Sequence, residues 1–149
     1  MLDKNAVGRG SPPTLNEVEK GAIRRFAEAI GDFNPIYYDD EYAKAAGFPT
    51  VVAPPTFPAS FHSAADLREL LGVGIKSLLH AEQTFEYERP IFAGDRIYVA
   101  TRVAEVLEKP SATGKMDVAV IEDEGRDEEG NLVFKARRTL VVRAAKEVA

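Results

Sequence analysis

Two periodicities divide the chain near residue 77. From there to about residue 143, apolar and polar positions alternate with a period of two, which is typical of β-strands with one buried face. The first two runs place eight residues on the predicted inner face: Ala81, Gln83, Phe85, Tyr87, Ile97, Val99, Thr101 and Val103. Two further runs, residues 116–121 and 132–142, flank an acidic stretch at 122–131 that is rich in turn residues. The pattern therefore predicts a long antiparallel sheet that includes a hairpin.

Helical spacing characterises residues 14–71. Thr14 and Glu17 fit a capping box, and four apolar residues follow at intervals of four before Gly31, namely Val18, Ala22, Phe26 and Ile30. A short second helix is predicted over residues 40–46. Because Pro58 fits only a first helical turn, a third helix is expected from Thr56 to about residue 71.

Helices followed by a long antiparallel sheet indicate an α+β fold, in which one central helix packs against one curved sheet. The alternation leaves one polar face, so this sheet should be covered on one side only. We expect a single domain over residues 1–149, with residues 1–13 as a flexible arm. The acidic stretch at 122–131 is interpreted as a solvated hairpin tip; a metal-binding loop is the alternative, although its carboxylate spacing does not match a calcium loop.

Composition narrows the classes of function. The 149 residues are 45% apolar and 29% charged, which is typical of one globular domain and not of a disordered chain. The absence of cysteine excludes disulfides, thiolate nucleophiles and cysteine-ligated metal sites. A net charge of −5 argues against nucleic-acid binding. No targeting segment and no apolar run of about 20 residues is present, so we expect a cytoplasmic protein that does not insert into membranes.

The most unusual segment follows the first predicted helix, at residues 31–39. Asp32 lies just past the helix end, and Asn34-Pro35 turns the chain sharply. A carboxylate buried there under aromatic side chains would have a raised pKa suited to proton transfer. The alternative, which the residues alone favour, is that Asp32 and Asn34 only accept hydrogen bonds from turn amides.

The chain contains two histidines, His62 and His80, without a spaced carboxylate partner, which makes a weak case for a metal, and no cofactor is predicted. His80 is in phase with Glu82 and not with Gln83 if the strand alternation is regular. It is a substitute base, a ligand for a CoA or carrier arm, or a hydrogen-bonding residue at the sheet edge. His62 is interpreted as a histidine at the edge of the core.

A series of motifs over residues 14–143 resembles the MaoC-like family of (R)-specific enoyl-CoA hydratases and 3-hydroxyacyl thioester dehydratases. The motifs are the stretch from Gly31 to Asp39 with Asn34-Pro35, the stretch at 53–58, His80 with Gln83, Arg89-Pro90, and the turn at 93–95. They are similar to the N-terminal-type dehydratase branch, which is related to the dehydratase region of fungal-type fatty acid synthase.

This resemblance implies a hot-dog fold whose sheet wraps around the helix predicted at 56–71. It also implies that two such domains pair edge to edge, as a homodimer or heterodimer, and bind an acyl-CoA or acyl-carrier thioester between them. The implied catalytic residues are Asp32, Asn34 and Tyr37. The implied substrate-binding residues are Pro55, Thr56, Phe57, His80, Gln83 and Arg89.

Tyr37 is the main departure from the family, because a histidine is expected at its position. A neutral imidazole is a good base near pH 7, whereas tyrosine has a reference pKa of about 10. Three functions stay open: a subunit whose partner holds the intact Asp–His pair, a hydratase or dehydratase in its own right, and an acyl-thioester-binding protein without a reaction. A thioesterase shares the fold but is disfavoured by the hydratase-type Asn34-Pro35 segment.

In the functional interpretation, Arg89 and Arg96 contact the phosphates of CoA or a carrier arm. The alternative is a solvated turn between strands, in which Asp95 accepts hydrogen bonds from turn amides; for Arg96 this alternative is the stronger one.

Overall fold

A computed structural model describes residues 2–73, 78–112 and 114–142. Its helices are α1 (Lys20–Ala29), α2 (Asp40–Ala45) and α3 (Leu67–Leu71), with 3₁₀ turns at Lys4–Ala6, Pro35–Tyr37 and Phe57–Ser60. Its strands are β1 (Thr14–Glu17), β2 (Leu78–Tyr87), β3 (Arg96–Ser111), β4 (Gly114–Arg126) and β5 (Leu132–Val142). All pairings are antiparallel, in the order β1-β3-β4-β5-β2. The predicted α+β fold is confirmed.

The first predicted helix begins five residues later than the capping box suggested, because its N-cap is Glu19 and not Thr14. Thr14–Glu17 is a strand that pairs with β3, and the helix starts at Lys20. Val18 is still held to the 94–95 turn by its backbone, so it cannot enter the helix. The fully buried helical positions are therefore Ile23 and Ala27, while Ile30 is half exposed. The second helix agrees with its prediction to within one residue.

The predicted central helix over residues 56–71 is wrong, because the chain is helical only at its two ends. A 3₁₀ turn covers Phe57–Ser60 and α3 covers Leu67–Leu71. Between them, the buried side chain of Asn16 on β1 holds the backbone of His62 at both of its polar groups. Asn16 Nδ2 donates to the His62 carbonyl at 2.8 Å, and the His62 N–H donates to Asn16 Oδ1 at 2.9 Å.

These two bonds occupy the N–H and carbonyl of His62, which a continuous helix would need for its own hydrogen bonds. In a helix, the His62 N–H would bond to the carbonyl of residue 58, and the His62 carbonyl would accept from residue 66. The side chain of Asp66 instead caps α3 by accepting from the Arg68 N–H at 2.9 Å. A new helix thus starts at residue 67 and leaves residues 61–66 as an irregular segment over the sheet.

The acidic stretch at 122–131 is also only partly a hairpin tip. Its first half continues β4 to Arg126, and the turn itself is organised by Asp127, whose Oδ1 accepts from the N–H groups of Glu129 and Asn131. Glu122 is 7% exposed in its side chain and contacts the cations of Arg102 and Arg137 on the outer sheet face. The Glu122 carboxylate is therefore buried between positive charges, whereas the sequence placed it in a solvated hairpin tip.

Residues 2–13 are packed against the sheet, where a flexible arm was expected. Leu2 and Ala6 are buried in a cluster with Leu71 and Leu140 at one end of the domain. The Leu2 N–H donates to Asp117 Oδ2 at 2.9 Å, so polar contacts also hold the segment. A second, larger cluster contains α1, the segment at 51–57 and the inner faces of β3 and β5.

Candidate functional site

In the segment from Asp32 to Tyr38, successive side chains accept hydrogen bonds from backbone N–H groups two residues further on. Asp32 Oδ1 accepts from the Asn34 N–H at 3.1 Å, and Asn34 Oδ1 accepts from the Ile36 N–H at 3.2 Å. The Tyr38 hydroxyl donates to the Asp32 carbonyl at 2.8 Å. Phe33 is 72% exposed and does not cover the Asp32 carboxylate. The structure therefore shows the capping contacts, and Phe33 does not supply the aromatic cover that the catalytic interpretation expected.

Tyr37 is the buried member of this segment and lines a cavity of about 390 Å³, the Tyr37 cavity. The other walls include Phe48, Pro55, Tyr87, Arg89 and Ile91. Burial raises the pKa of the Tyr37 phenol, and the nearby negative charge of Asp32 raises it further. The phenol is therefore protonated at neutral pH and offers this cavity a hydrogen-bond donor.

The predicted substrate residues Pro55 and Arg89 reach the same cavity, but both have partners. The Tyr87 hydroxyl donates to the Pro55 carbonyl, and burial raises the pKa of Tyr87. Arg89 Nη1 contacts Asp95 Oδ2 at 2.8 Å, and the same carboxylate oxygen accepts from the Phe92 N–H at 2.8 Å. This agrees with the turn-fixing role considered for Asp95. The guanidinium also donates to the Pro90 carbonyl and to Asp95 Oδ1, which accounts for three of its five N–H groups among the described residues, and its side chain is 35% exposed, so it can still donate to an anion.

Three further residues considered in the sequence analysis, Thr56, Phe57 and Arg96, are not in the lining of the Tyr37 cavity. Phe57 is buried in the aromatic core, with its ring 5.5 Å from Phe26 and 5.4 Å from Phe61, whereas Thr56 beside it is exposed. Arg96 is bound by carboxylates on both sides, 2.5 Å from Glu17 and 2.5 Å from Glu128. The structure therefore gives Phe57 a packing role and supports the turn interpretation of Arg96.

The break in the central helix lies over a second cavity of about 520 Å³, the His80 cavity. Its apolar walls come from Phe61, Phe134, Ala136 and Leu140, and its polar walls from His62, Ser63, His80, Gln83, Asp123 and Arg138. This volume lies in the range of ligand sites, which span about 300–1,000 Å³.

A β-bulge places His80 in this cavity. The pairing of β2 with β5 shifts between His80 and Glu82, so His80 faces Leu140 while Gln83 faces Arg138. Both partners lie on the inner face of β5, and therefore His80 and Gln83 share a side of the sheet. The regular alternation predicted from the sequence, which placed His80 with Glu82 and Ala81 with Gln83, is wrong at the bulge.

The polar lining of the His80 cavity also includes Ser63, Asp123 and Arg138, which the sequence analysis did not assign to a site. Thr101 donates to Asp123 Oδ1 at 2.5 Å, and Ser63 Oγ lies 2.8 Å from Thr101 Oγ1. Arg138 Nε lies 3.3 Å from Asp123 Oδ2, but it makes no hydrogen bond within the part of the chain that the structure describes. A signal was available, because period two places Arg138 on the same face as Phe134 and Leu140.

The predicted residues thus divide into three groups. Tyr37, Pro55 and Arg89 line the Tyr37 cavity, whereas His80 and Gln83 line the His80 cavity. The lining of these two cavities includes none of the other four, Asp32, Asn34, Thr56 and Phe57. Within the described ranges, no three histidine or carboxylate side chains converge on a metal site, and no described helix is long and apolar enough to cross a bilayer.

Comparisons with known proteins give the family. Residues 5–136 match the model of the FAS1-like, dehydratase domain region. A UPF0336 protein of Streptomyces coelicolor is 44% identical over 151 residues, covering 98% of both chains, and one of Thermobifida fusca is 34% identical, covering 95% of this chain and 94% of the relative.

Two solved structures agree with this assignment. A HadBC (3R-hydroxyacyl-ACP dehydratase) complex of Mycobacterium tuberculosis is 25% identical, with a TM-score of 0.79 over 91% of this chain and 96% of that chain. A MaoC-like dehydratase is 28% identical, with a TM-score of 0.82 over 98% of this chain, which spans 45% of that protein. The fold, the family model and the close relatives together show that this chain belongs to the FAS1-like dehydratase-region family of MaoC-like hot-dog proteins.

Proposed function

We propose that this chain is the acyl-binding subunit of a hot-dog dehydratase, and that a second hot-dog chain supplies the catalytic Asp–His pair. The reaction interconverts trans-2-enoyl and 3-hydroxyacyl thioesters. In hydration, water adds across the double bond, with its hydroxyl going to C3 and a proton going to C2. The observation that carries the proposal is the buried, protonated Tyr37 where the family has histidine.

A tyrosine with a raised pKa cannot act as a general base at neutral pH. The base must be deprotonated before it activates water or removes the α-proton, and catalysis is best when its pKa is near the working pH. Burial and Asp32 both move the pKa of Tyr37 away from that range. Asp32 itself accepts a hydrogen bond from its own turn, which gives it a local structural role.

The His80 cavity supports an acyl-binding role for the chain. The interrupted helix leaves space against the sheet where a continuous central helix would place side chains. Rings of Phe61 and Phe134, 5.8 Å apart between centroids, supply apolar surface for a hydrocarbon chain. A subunit with such a cavity contributes binding energy to the substrate without taking part in proton transfer.

The open edge of the sheet supports pairing with another hot-dog chain. β2 lies at the end of the strand order, so the N–H and C=O groups along one side of its ten residues face no strand among the described residues. Such an edge is a template for a further strand. The similarity to the HadBC complex agrees with a two-chain enzyme.

The second candidate is a hydratase that works alone, with Asp32 as the acid–base residue and Tyr37 as a hydrogen-bond donor. The observation that supports it is the negative charge of Asp32, which contributes to the raised pKa of the Tyr37 phenol. In either case the substrate is a thioester of CoA or of a carrier protein. The Arg89 cation at the Tyr37 cavity suits the phosphate of CoA and that of a carrier-protein arm.

The test is hydration of a short trans-2-enoyl-CoA, followed by the loss of enoyl absorbance. We expect no turnover by this chain alone and turnover when it is co-purified with a hot-dog chain that carries Asp and His. Asp32→Asn and Tyr37→Phe should lower the rate of that complex by less than about tenfold, whereas loss of a general base lowers it by roughly 10²–10⁴-fold. Turnover by the isolated chain that disappears in Asp32→Asn would establish the second candidate instead. Release of free thiol from the thioester would identify a thioesterase.

A further inference from the structure

The His80 cavity has a charged wall that a purely hydrocarbon ligand would leave unsatisfied. Arg138 and Asp123 lie opposite the apolar wall of Phe61, and their side chains are only 26% and 14% exposed. Filling the cavity with methylene groups would expel water from both groups without replacing its hydrogen bonds. A buried donor or acceptor left in this way opposes binding.

The hydrogen bonds within this wall show which of its donors and acceptors can still bind a ligand. A hydroxyl carries one hydrogen, and Thr101 gives it to Asp123 Oδ1, so the contact between Ser63 and Thr101 is donated by Ser63. Among the described residues, Asp123 Oδ2 accepts no hydrogen bond, and the guanidinium of Arg138 makes one, at 3.4 Å from Nη2 to Asp123 Oδ1. A guanidinium has five N–H groups, so Arg138 can still donate to a ligand oxygen.

The charge of the pair indicates a neutral ligand group. The charges of Arg138 and Asp123 cancel each other. A ligand carboxylate that approached Arg138 would therefore also be repelled by the Asp123 carboxylate beside it. A hydroxyl accepts from Arg138 and donates to Asp123, and a keto oxygen accepts from Arg138 alone. His80 and Gln83 add polar groups at the same wall, and neither of them repels a neutral oxygen.

We propose that the His80 cavity selects acyl chains that carry a hydroxyl or keto oxygen remote from the thioester, and that Arg138, paired with Asp123, recognises this oxygen. The inference rests on the proposed acyl-binding role and assigns it a substrate class. Arg138 acts as a specificity residue, because under the proposed function the partner chain supplies the proton transfer and Arg138 only binds the ligand.

The test measures binding of three matched medium-chain acyl-pantetheine thioesters to the full-length protein by calorimetry. One carries a plain saturated chain, one a terminal hydroxyl, and one a keto group near the chain end. We expect the hydroxyl form to bind about tenfold more tightly than the plain form, as a hydrogen bond to a charged group predicts, with the keto form in between.

Two variants separate recognition from general loss of structure. Arg138→Met removes the donors and keeps the volume, and it should bring the hydroxyl-to-plain ratio close to one. Arg137→Met is the matched control, because Arg137 is the next residue of β5, points to the outer face and contacts Glu122. The control should keep the ratio of the wild-type protein. Even if Arg138→Met does not fold, the wild-type comparison decides whether the cavity selects oxygen-bearing chains, and Arg138→Lys, which keeps the charge and loses the fork of donors, then tests the role of Arg138.

The outcomes are distinct. Equal or tighter binding of the plain chain, or an unchanged ratio in Arg138→Met, overturns the inference and leaves the acyl-binding role intact. Weaker binding of pantetheine without an acyl group to Arg138→Met than to the wild-type protein would show that the cavity binds the thioester arm, which also overturns it. If none of the three thioesters binds, the proposed function itself is wrong.

Discussion

Replacing Asn16 with alanine removes the side chain that interrupts the central helix. Asn16 is 8% exposed and makes two good hydrogen bonds to the backbone of His62, at 2.8 and 2.9 Å. Loss of two such bonds costs about 2 kcal/mol, and each backbone group left buried without a partner adds about 1–3 kcal/mol. Because the freed groups of His62 can recover partners within a helix, we expect a total loss of about 2–4 kcal/mol of unfolding free energy.

The assay is equilibrium unfolding by heat and by urea. For a domain of about 150 residues, this loss lowers Tm by roughly 5–15 °C. Asn131→Ala is the matched control, because the Asn131 amide makes two long contacts among the described residues, both of 3.4 Å, to the carboxylates of Asp127 and Glu129. It should change the unfolding free energy by less than about 0.5 kcal/mol.

Amide hydrogen exchange supplies the structural readout. In Asn16→Ala, the helix bonds that Asn16 prevents can form, so amides at 61–66 should become more protected while the domain as a whole becomes less stable. Thioester binding in the His80 cavity should weaken at the same time, because a helix would place side chains in that space. If stability and exchange at 61–66 both match the wild-type protein, Asn16 does not hold the helix open and the reasoning is refuted.

Two further predictions concern packing and pH. A Cβ added at Gly125 would lie 2.1 Å from Cε1 of Phe134, so Gly125→Ala must displace this ring; we expect a loss of about 1–3 kcal/mol in urea unfolding and weaker thioester binding, and an unchanged midpoint would contradict the contact. Hydrogen bonds from Lys20 and then Thr50 lower the pKa of Asp40 from 3.8 to about 2. Asp40 therefore stabilises the fold fully above pH 3.8, and this contribution is lost as the pH falls towards 2. Asp40→Asn should be less stable at neutral pH and should have a flatter acid limb in pH-dependent unfolding, whereas parallel wild-type and variant curves would show that Asp40 contributes nothing.

The strands were the most predictable part of the fold, because their side-chain alternation is visible in the sequence alone. β5 occupies residues 132–142 as predicted, and Gln83, Phe85 and Tyr87 share a face as expected. His80 was assigned to the wrong face because the bulge depends on the pairing of β2 with β5, which local alternation does not report.

The candidate site was predictable where a motif or a face is local to one segment. The caps made by Asp32 and Asn34 follow from their positions beside Gly31 and Pro35. The partnership of Arg138 with Asp123 joins two strands, so the sequence could show only that each charge stands on an apolar face. Which of these charges meet is a property of the strand register.

The strand that replaces the start of the first predicted helix also carries Asn16, which interrupts the second. Thr14 and Glu17 satisfy a capping box locally, but pairing with β3 makes this segment a strand and buries the side chain between them. An amide side chain is one of the few that can both donate to a carbonyl and accept from an N–H, so Asn16 can replace both helical partners of His62. Space for a ligand on the sheet therefore depends on a polar residue 46 positions away from the segment that it holds open. A hot-dog chain of this family with an apolar residue at this strand position should have a continuous central helix and no such cavity, which its crystal structure would test directly.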